Sequence, residues 1–259
     1  MPSQLQSIKK TVKRKLFYLA NRGDDCVCSL CSTHLKRFMP GGIDLPVLRE
    51  KEVVGGGYRN NMYCPSCGCT DRERLLVAYL SDNLSMANLE ALHVAPERNL
   101  HAYLKANCRK VVPADLQPQN YKHIGEVVQL SLTEIPYADD SFNLVVANHV
   151  MEHIPDDKLA MSEVRRVLAN NGLAVLQVPY SYIIEHTEED LTIDSDTERE
   201  RSYGQFDHVR LYAYKDYVNR LKSVGFSVEV IEPAKLAQYA KFGVNPDEAI
   251  FLCKKQLSS

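Results

Sequence analysis

"ALHVAPERNL", residues 91–100, decides how the rest of the chain is read. Ala91, Leu92 and Val94 close a short apolar strand pattern, and a helix-like spacing opens near Arg98. Ala95, Pro96 and Glu97 therefore form the turn between a strand and the helix that follows it. In sheets built this way, ligands sit beyond the carboxyl ends of the strands. The turn contains no glycine, so the close approach of a ligand to its backbone needs another explanation. Ala95 is small, and Pro96 fixes one torsion, which suits a rigid turn.

The same alternation continues outward. "ERNLHAYLKAN" reads as a helix, "RKVVPADL", "EVVQLSL" and "FNLVVAN" as strands, and "DKLAMSEVRRVLANNG" as a helix stopped at Gly172. "LAVLQVPY" is a further strand, "AYKDYVNRLKSVG" a helix ending at Gly225, and "FSVEVIEP" and "AIFLCKK" two late strands. Strands alternating with helices predict an α/β fold with a doubly wound, Rossmann-like sheet. Asp115 stands at the end of the second strand, 21 residues after Val94, where a carboxylate accepts hydrogen bonds from ribose hydroxyls. No G-x-G-x-x-G follows the first strand, so a nicotinamide cofactor is not expected.

Before this pattern lie two segments of different character. Residues 1–24 are basic, with Lys9, Lys10, Lys13, Arg14, Lys15 and Arg22 beside Leu5, Ile8, Val12, Leu16 and Leu19 at steps of three and four. This predicts an amphipathic helix that either packs on its own protein or makes weak contact with an anionic membrane surface through residues 1–22. Residues 25–70 hold "CVCSLC" and "CPSCGC" around glycine-rich stretches that bury little core. Cys28, Cys31, Cys64 and Cys67 form two CxxC pairs, the spacing of a zinc ribbon. Four thiolates close a tetrahedral zinc site, so the Zn2+ would be structural. Cys26 and Cys69 are rival ligands.

Within residues 131–179, Ile135-Pro136-Tyr137, Asp140-Ser141-Phe142-Asn143, Met151-Glu152-His153 and "RVLANNG" at 166–172 follow one another in a recognisable order. The stretch resembles class I S-adenosylmethionine-dependent methyltransferases, where "LPF-DGSFD", "LEH" and "RVLKPGG" segments stand in these places. With the CxxC pairs, "LHVAPE" and "YGQFDHVRLY", the chain is similar to a bacterial subgroup bearing a small N-terminal zinc-ribbon module. The resemblance implies S-adenosylmethionine as cofactor. The family's acidic-x-Gly-x-Gly turn is replaced here by His93, Ala95 and Glu97. It further implies that Ala95, Pro96 and Glu97 face the amino-acid end of the cofactor and that Asp115 holds the ribose. Leu116, Ser131 and Leu132 would lie against adenine, and Asn148 and His149 would close the pocket.

Methyl transfer to a hydroxyl needs alignment and a proton acceptor, a role that suits histidine near neutral pH. His208, beside Asp207, and His153 are the candidate catalytic residues. Segment 181–210 is acidic and too long for an ordinary link, which predicts a lid-like insertion. Its charge, and a net charge of −2 from 31 basic and 33 acidic residues, point to a small-molecule or carbohydrate acceptor; nucleic acid is not expected. An RNA methyltransferase and a non-catalytic zinc-ribbon interaction protein are the alternatives. With no run of about 18 apolar residues and no secretory signal, the expected location is cytoplasmic. The expected organisation is a helix over 1–24, a ribbon over 25–70 and a methyltransferase domain over 71–259.

Overall fold

The computed structural model describes residues 4–255, with side chains from residue 9 onward. The outermost residues of the expected 1–24 and 71–259 segments, and the side chains of Leu5 and Ile8, lie outside the described residues. The chain forms two compact units, and neither is continuous in sequence. Among the described residues, one contains 4–42, 58–84 and 233–248, and the other contains 43–57, 85–232 and 249–255.

In this division no unit boundary falls at 70 and 71. Val47, Leu48 and Val53 bury themselves in a cluster with Tyr203 and Leu211. Val54 and Tyr180 exchange backbone hydrogen bonds of 2.8 and 3.1 Å. Residues 43–57 thus serve the α/β unit. Helix Asp71–Asn83 belongs instead to the cysteine unit, for a reason centred on Arg74. That side chain, fully buried, donates to the carbonyls of Asn61, Met62, Cys69, Phe242 and Gly243 and lies 3.7 Å from the Phe38 ring centroid. A planar guanidinium with five donors can tie that many strands of chain together.

The α/β unit is organised by a seven-stranded sheet: β1 (Glu90–Val94), β2 (Lys110–Asp115), β3 (Val128–Gln129), β4 (Phe142–Asn148), β5 (Leu168–Gln177), β6 (Phe226–Ile231) and β7 (Ile250–Lys255). Their spatial order is β6-β7-β5-β4-β1-β2-β3. Strands β1 to β5 pair in parallel, whereas β7 runs antiparallel to both β5 and β6. Leu144, Val145 and Val146 of β4 are all fully buried, so both faces of the central strand are covered. Each such side chain contributes roughly 1.5–3 kcal/mol by leaving water. Strand order reverses between β1 and β4, which puts the ligand-binding crevice at their carboxyl ends.

One boundary differs from expectation. The helix Asp157–Val167, capped by the Asp156 side chain on the Leu159 N–H, ends before the "ANNG" run. The Arg166 carbonyl is taken by the Asp140 N–H and by Lys255 Nζ, and Leu168 is already extended. Gly172 is therefore no helix stop. It lies in β5 where a Cβ would come 2.8 Å from Leu168 Cδ1 and 2.9 Å from the Ala169 carbonyl oxygen. The register shift between β4 and β5 falls at this place.

Segment 181–210 is not a loose loop. Its helix Asp196–Tyr203 starts on the Ser195 cap and ends at Gly204, whose φ of 85° suits glycine. Residues Glu188–Glu189 then pair with Arg210–Ala213, which also pairs with Tyr180–Ser181. In the cysteine unit, two antiparallel strand pairs, Cys26–Val27 with His34–Leu35 and Met39–Gly41 with Arg59–Tyr63, accompany helix Gln4–Ala20. Val12, Leu16 and Leu19 of that helix are exposed. Among the described residues, no helix is long and apolar enough to cross a membrane.

Candidate active site and cysteine centre

The turn after β1 solves its lack of glycine by strain. Ala95 adopts φ +48°, a left-handed conformation, while its N–H donates to the Ala114 carbonyl at 2.9 Å. An L-residue pays roughly 1–2 kcal/mol there, and alanine pays least in side-chain bulk. His149, at the matching end of β4, is also left-handed at φ +53°. Replacing Ala95 by glycine is expected to raise unfolding stability by up to about 1 kcal/mol, because relief of strain outweighs the added backbone entropy. Thermal melting checks this, and a lower midpoint would contradict it.

Glu97 is the last residue before helix α1 (Arg98–Asn107), where helix N–H groups favour a carboxylate. Its two oxygens accept from Asn148 Nδ2 at 3.2 and 3.1 Å, and Oε2 lies 3.3 Å from His93 Nε2. Asn148 is buried, and its Oδ1 has no hydrogen-bond partner among the described residues. A half-exposed carboxylate beside an orphaned amide oxygen is a fitting receptor for an ammonium group. Asp115, at the end of β2, accepts from the Gln117 N–H at 2.7 Å and from the Tyr121 hydroxyl at 3.0 Å. Those contacts orient the carboxylate and leave it further lone pairs. Pro96 is buried beside the strained alanine. Leu116 is exposed, Ser131 Oγ pairs with Thr133 Oγ1 at 2.8 Å, and the Leu132 side chain is in the hydrophobic core.

Behind Glu97, His93 and His101 stack with ring centroids 5.7 Å apart. Burial, and then the neighbouring His93 and Lys105, lower the His101 pKa from 6.5 to about 4. The unfolded chain thus binds this proton at a higher pH than the folded one does. Stability should be fully present above pH 6.5 and fall as pH drops toward 4, by an amount on the order of 3 kcal/mol. Denaturant titrations across that window on the native chain and on His101→Phe check it: the variant should show a shallower slope.

A second group lies just past β4. His149, Glu152 and His153 surround the short turn Met151–His153, and the Glu152 carboxylate is fully buried. His149 Nδ1 lies 3.4 Å, and His208 Nε2 3.9 Å, from Glu152 Oε1. His153 and His208 meet edge to face with centroids 4.7 Å apart. Asp207 faces His153, its carboxylate 3.4 Å from Nδ1, and so does not orient its sequence neighbour His208. His208 is 7% exposed and directs Nδ1 at the Tyr203 carbonyl, 3.3 Å away. Burial first, then His153, lower its pKa to about 4. Arg210 supports the whole turn by donating to the carbonyls of Met151, Ile154 and Pro155 while pairing with Glu189. Glu152 was not among the site residues expected from sequence, although its three-residue spacing from His149 carries the signal.

In the cysteine unit, two turns repeat each other. Ser32 N–H donates to Cys28 O and Gly68 N–H to Cys64 O, both at 2.9 Å; Cys28 N–H reaches Thr33 O at 3.0 Å and Cys64 N–H reaches Cys69 O at 2.9 Å. Ser32 and Gly68 both have positive φ. Five thiols meet between these turns. Sγ separations are 3.8 Å for Cys28 and Cys67, 3.7 Å for Cys31 and Cys64, and 3.4 Å for Cys28 and Cys69. The sulfurs of Cys28, Cys64, Cys67 and Cys69 all lie within 4.8 Å of one another, a set in which Cys69 replaces the expected Cys31. Cys26 Sγ instead contacts the Leu35 carbonyl at 3.3 Å.

The strand order, with its reversed seventh strand, is that of the Rossmann-like methyltransferase fold, and it reverses between β1 and β4. Residues 95–176 match the family model described as a methyltransferase domain. Among solved structures, the chain is similar to the [4+2]-cyclase SpnF at a TM-score of 0.50 and 11% identity, over 72% of this chain and 82% of that one. A SAM-dependent methyltransferase from Archaeoglobus fulgidus matches at 0.49 and 13%, over 72% and 95%. One from Mesorhizobium loti matches at 0.49 and 14%, over 70% and 98%. Comparison with curated proteins gave no match.

Proposed function

We propose that this protein transfers a methyl group from S-adenosylmethionine to an oxygen of a small-molecule or glycan acceptor. The observation that carries the reading is the Glu97–Asn148 pair at the switch point, with the buried Asn148 Oδ1 left over for an ammonium group. When bound, the cofactor supplies an electrophilic methyl on a sulfonium. Glu97 and Asn148 hold its amino-acid end, Asp115 its ribose, and Leu116, Ser131 and Leu132 border adenine. The histidines past β4 handle the acceptor: His208 or His153, the latter 29% exposed at its side chain, takes the hydroxyl proton as the oxygen lone pair forms the new bond. The acidic 181–210 segment favours an acceptor without a phosphodiester backbone.

We assign the cysteine unit a structural Zn2+ held by Cys28, Cys31, Cys64 and Cys67, as in a zinc ribbon. The repeat of the two turns supports this set, because it matches Cys31 with Cys67 and places Cys69 where the other turn has Thr33. Thiolates about 2.3 Å from zinc stand about 3.8 Å apart in a tetrahedron, close to the 3.8 and 3.7 Å separations.

Calorimetry with S-adenosylhomocysteine tests the cofactor assignment. Asp115→Ala and Glu97→Gln should each weaken binding by roughly 1.5–3 kcal/mol, the usual loss for hydrogen bonds to a charged group. Unchanged affinity in folded variants rejects the assigned roles, and no binding by the native chain favours a non-catalytic interaction protein. The acceptor is identified by comparing metabolites and surface glycans with and without the active gene for a methyl-sized mass difference.

A further inference from the structure

We propose that Glu152, His153 and His208 bind a divalent first-row transition cation at the carboxyl end of β4. One ligand-capable atom from each lies within 4.8 Å of the others. Each histidine is anchored through Nδ1 to a backbone carbonyl, His208 to Tyr203 at 3.3 Å and His153 to Asp207 at 3.2 Å. A ring nitrogen that faces a carbonyl carries the proton, so Nε2 of each ring keeps its lone pair. Imidazoles that ligate metals are held in this way, through the N–H opposite the metal.

The spacing fits the same reading. His208 Nε2 stands 3.9 Å from Glu152 Oε1, beyond hydrogen-bond range. Donors about 2.1 Å from one ion lie roughly 3.0–3.4 Å apart, so a contraction of about half an ångström brings this pair to ligand spacing. His149 Nδ1, 3.4 Å from the same oxygen, is a fourth donor within reach. The ligands are held in place beforehand. Arg210 binds the carbonyls of Met151 and Ile154, which bracket Glu152 and His153, and the Val209 N–H donates to the Glu152 carbonyl at 2.9 Å.

Two imidazoles and one carboxylate suit manganese, iron or zinc better than magnesium or calcium, which prefer oxygen throughout. Three protein ligands leave coordination positions open. If the chain is an oxygen methyltransferase, as proposed above, those positions suit the acceptor hydroxyl, whose acidity a cation raises; a histidine that ligates the ion through Nε2 then serves as ligand in place of proton acceptor.

The test uses the full chain with its cysteine-bound metal in place and Mn2+ as probe, because thiolates do not select Mn2+. The free-ion electron paramagnetic resonance signal should fall to show one Mn2+ bound per chain. Glu152→Gln and the more exposed His153→Ala should each weaken binding at least about tenfold. Melting curves confirm that the variants are folded. Absence of Mn2+, Co2+ or Zn2+ binding beyond the cysteine-bound ion overturns the site, as does unchanged binding in both folded variants. S-adenosylhomocysteine binding, measured on the same samples, separates the two readings: its loss alone fails the methyltransferase reading, and loss of Mn2+ binding alone fails the metal site.

Discussion

Stripping the proposed zinc from the cysteine unit is expected to unfold the strands and turns that carry the thiols while the seven-stranded sheet keeps its protection. The reason lies in what is buried around the thiols, since the unit's other buried side chains, such as Leu75, Leu76 and Leu236, come from its helices. Of the six buried members of the apolar cluster there, four are Cys26, Cys28, Cys64 and Cys69, with Leu35 and Phe38 the others. So few hydrocarbon side chains cannot offset the entropy of ordering the strand pairs. Structural zinc in small modules carries an apparent binding free energy of about 10–16 kcal/mol, as large as the whole stability of an ordinary domain. Protein purified without added metal should contain one zinc per chain by elemental analysis. After chelation, hydrogen exchange should accelerate across residues 26–39 and 59–70 and stay slow in β1, β4 and β5. Cys31→Ser should release the ion and Cys69→Ser should retain it. A metal-free chain with fully protected strand pairs would falsify the assignment, and the reverse order of the two serine variants would make Cys69 the fourth ligand.

The parts legible in the sequence were those written in local pattern. Cysteine knuckles declare themselves by spacing, and β1, β2 and β4 by apolar runs ending in Val94, Asp115 and Asn148. Glu97 was expected to face the cofactor, and the structure supplies its partner on β4. What escaped was decided by tertiary contacts. Gly172 reads as a helix stop, yet the Arg166 carbonyl already has partners from Asp140 and Lys255, and the glycine is needed for clearance within β5. The unit boundaries depend on where Arg74 finds carbonyls up to 169 residues away. Asp207 and His208 are adjacent in sequence, but one faces His153 and the other Glu152. Adjacency along an irregular segment does not fix direction, whereas the three-residue step from His149 to Glu152 around a tight turn does.

His208→Ala is expected to lower turnover on the identified acceptor by about 10²–10⁴-fold while S-adenosylhomocysteine affinity stays near that of the native chain. The expectation rests on place: Glu97 pairs with Asn148 and His93, and Asp115 with Gln117 and Tyr121, whereas His208 faces Glu152, His153 and Tyr203. Its loss should therefore be felt at the acceptor and not at the cofactor. A structural histidine would behave differently, lowering the melting temperature with rate per folded molecule intact. His208→Asn, which keeps a polar group for the Tyr203 carbonyl, guards against reading instability as lost chemistry. Two additions then separate the remaining roles. Recovery with exogenous imidazole marks a missing proton acceptor, and recovery with raised Mn2+ marks a missing ligand. Near-normal turnover by a stable His208→Ala protein rejects both roles for this residue. His153, more exposed and held by Asp207, would then be the group that takes the proton.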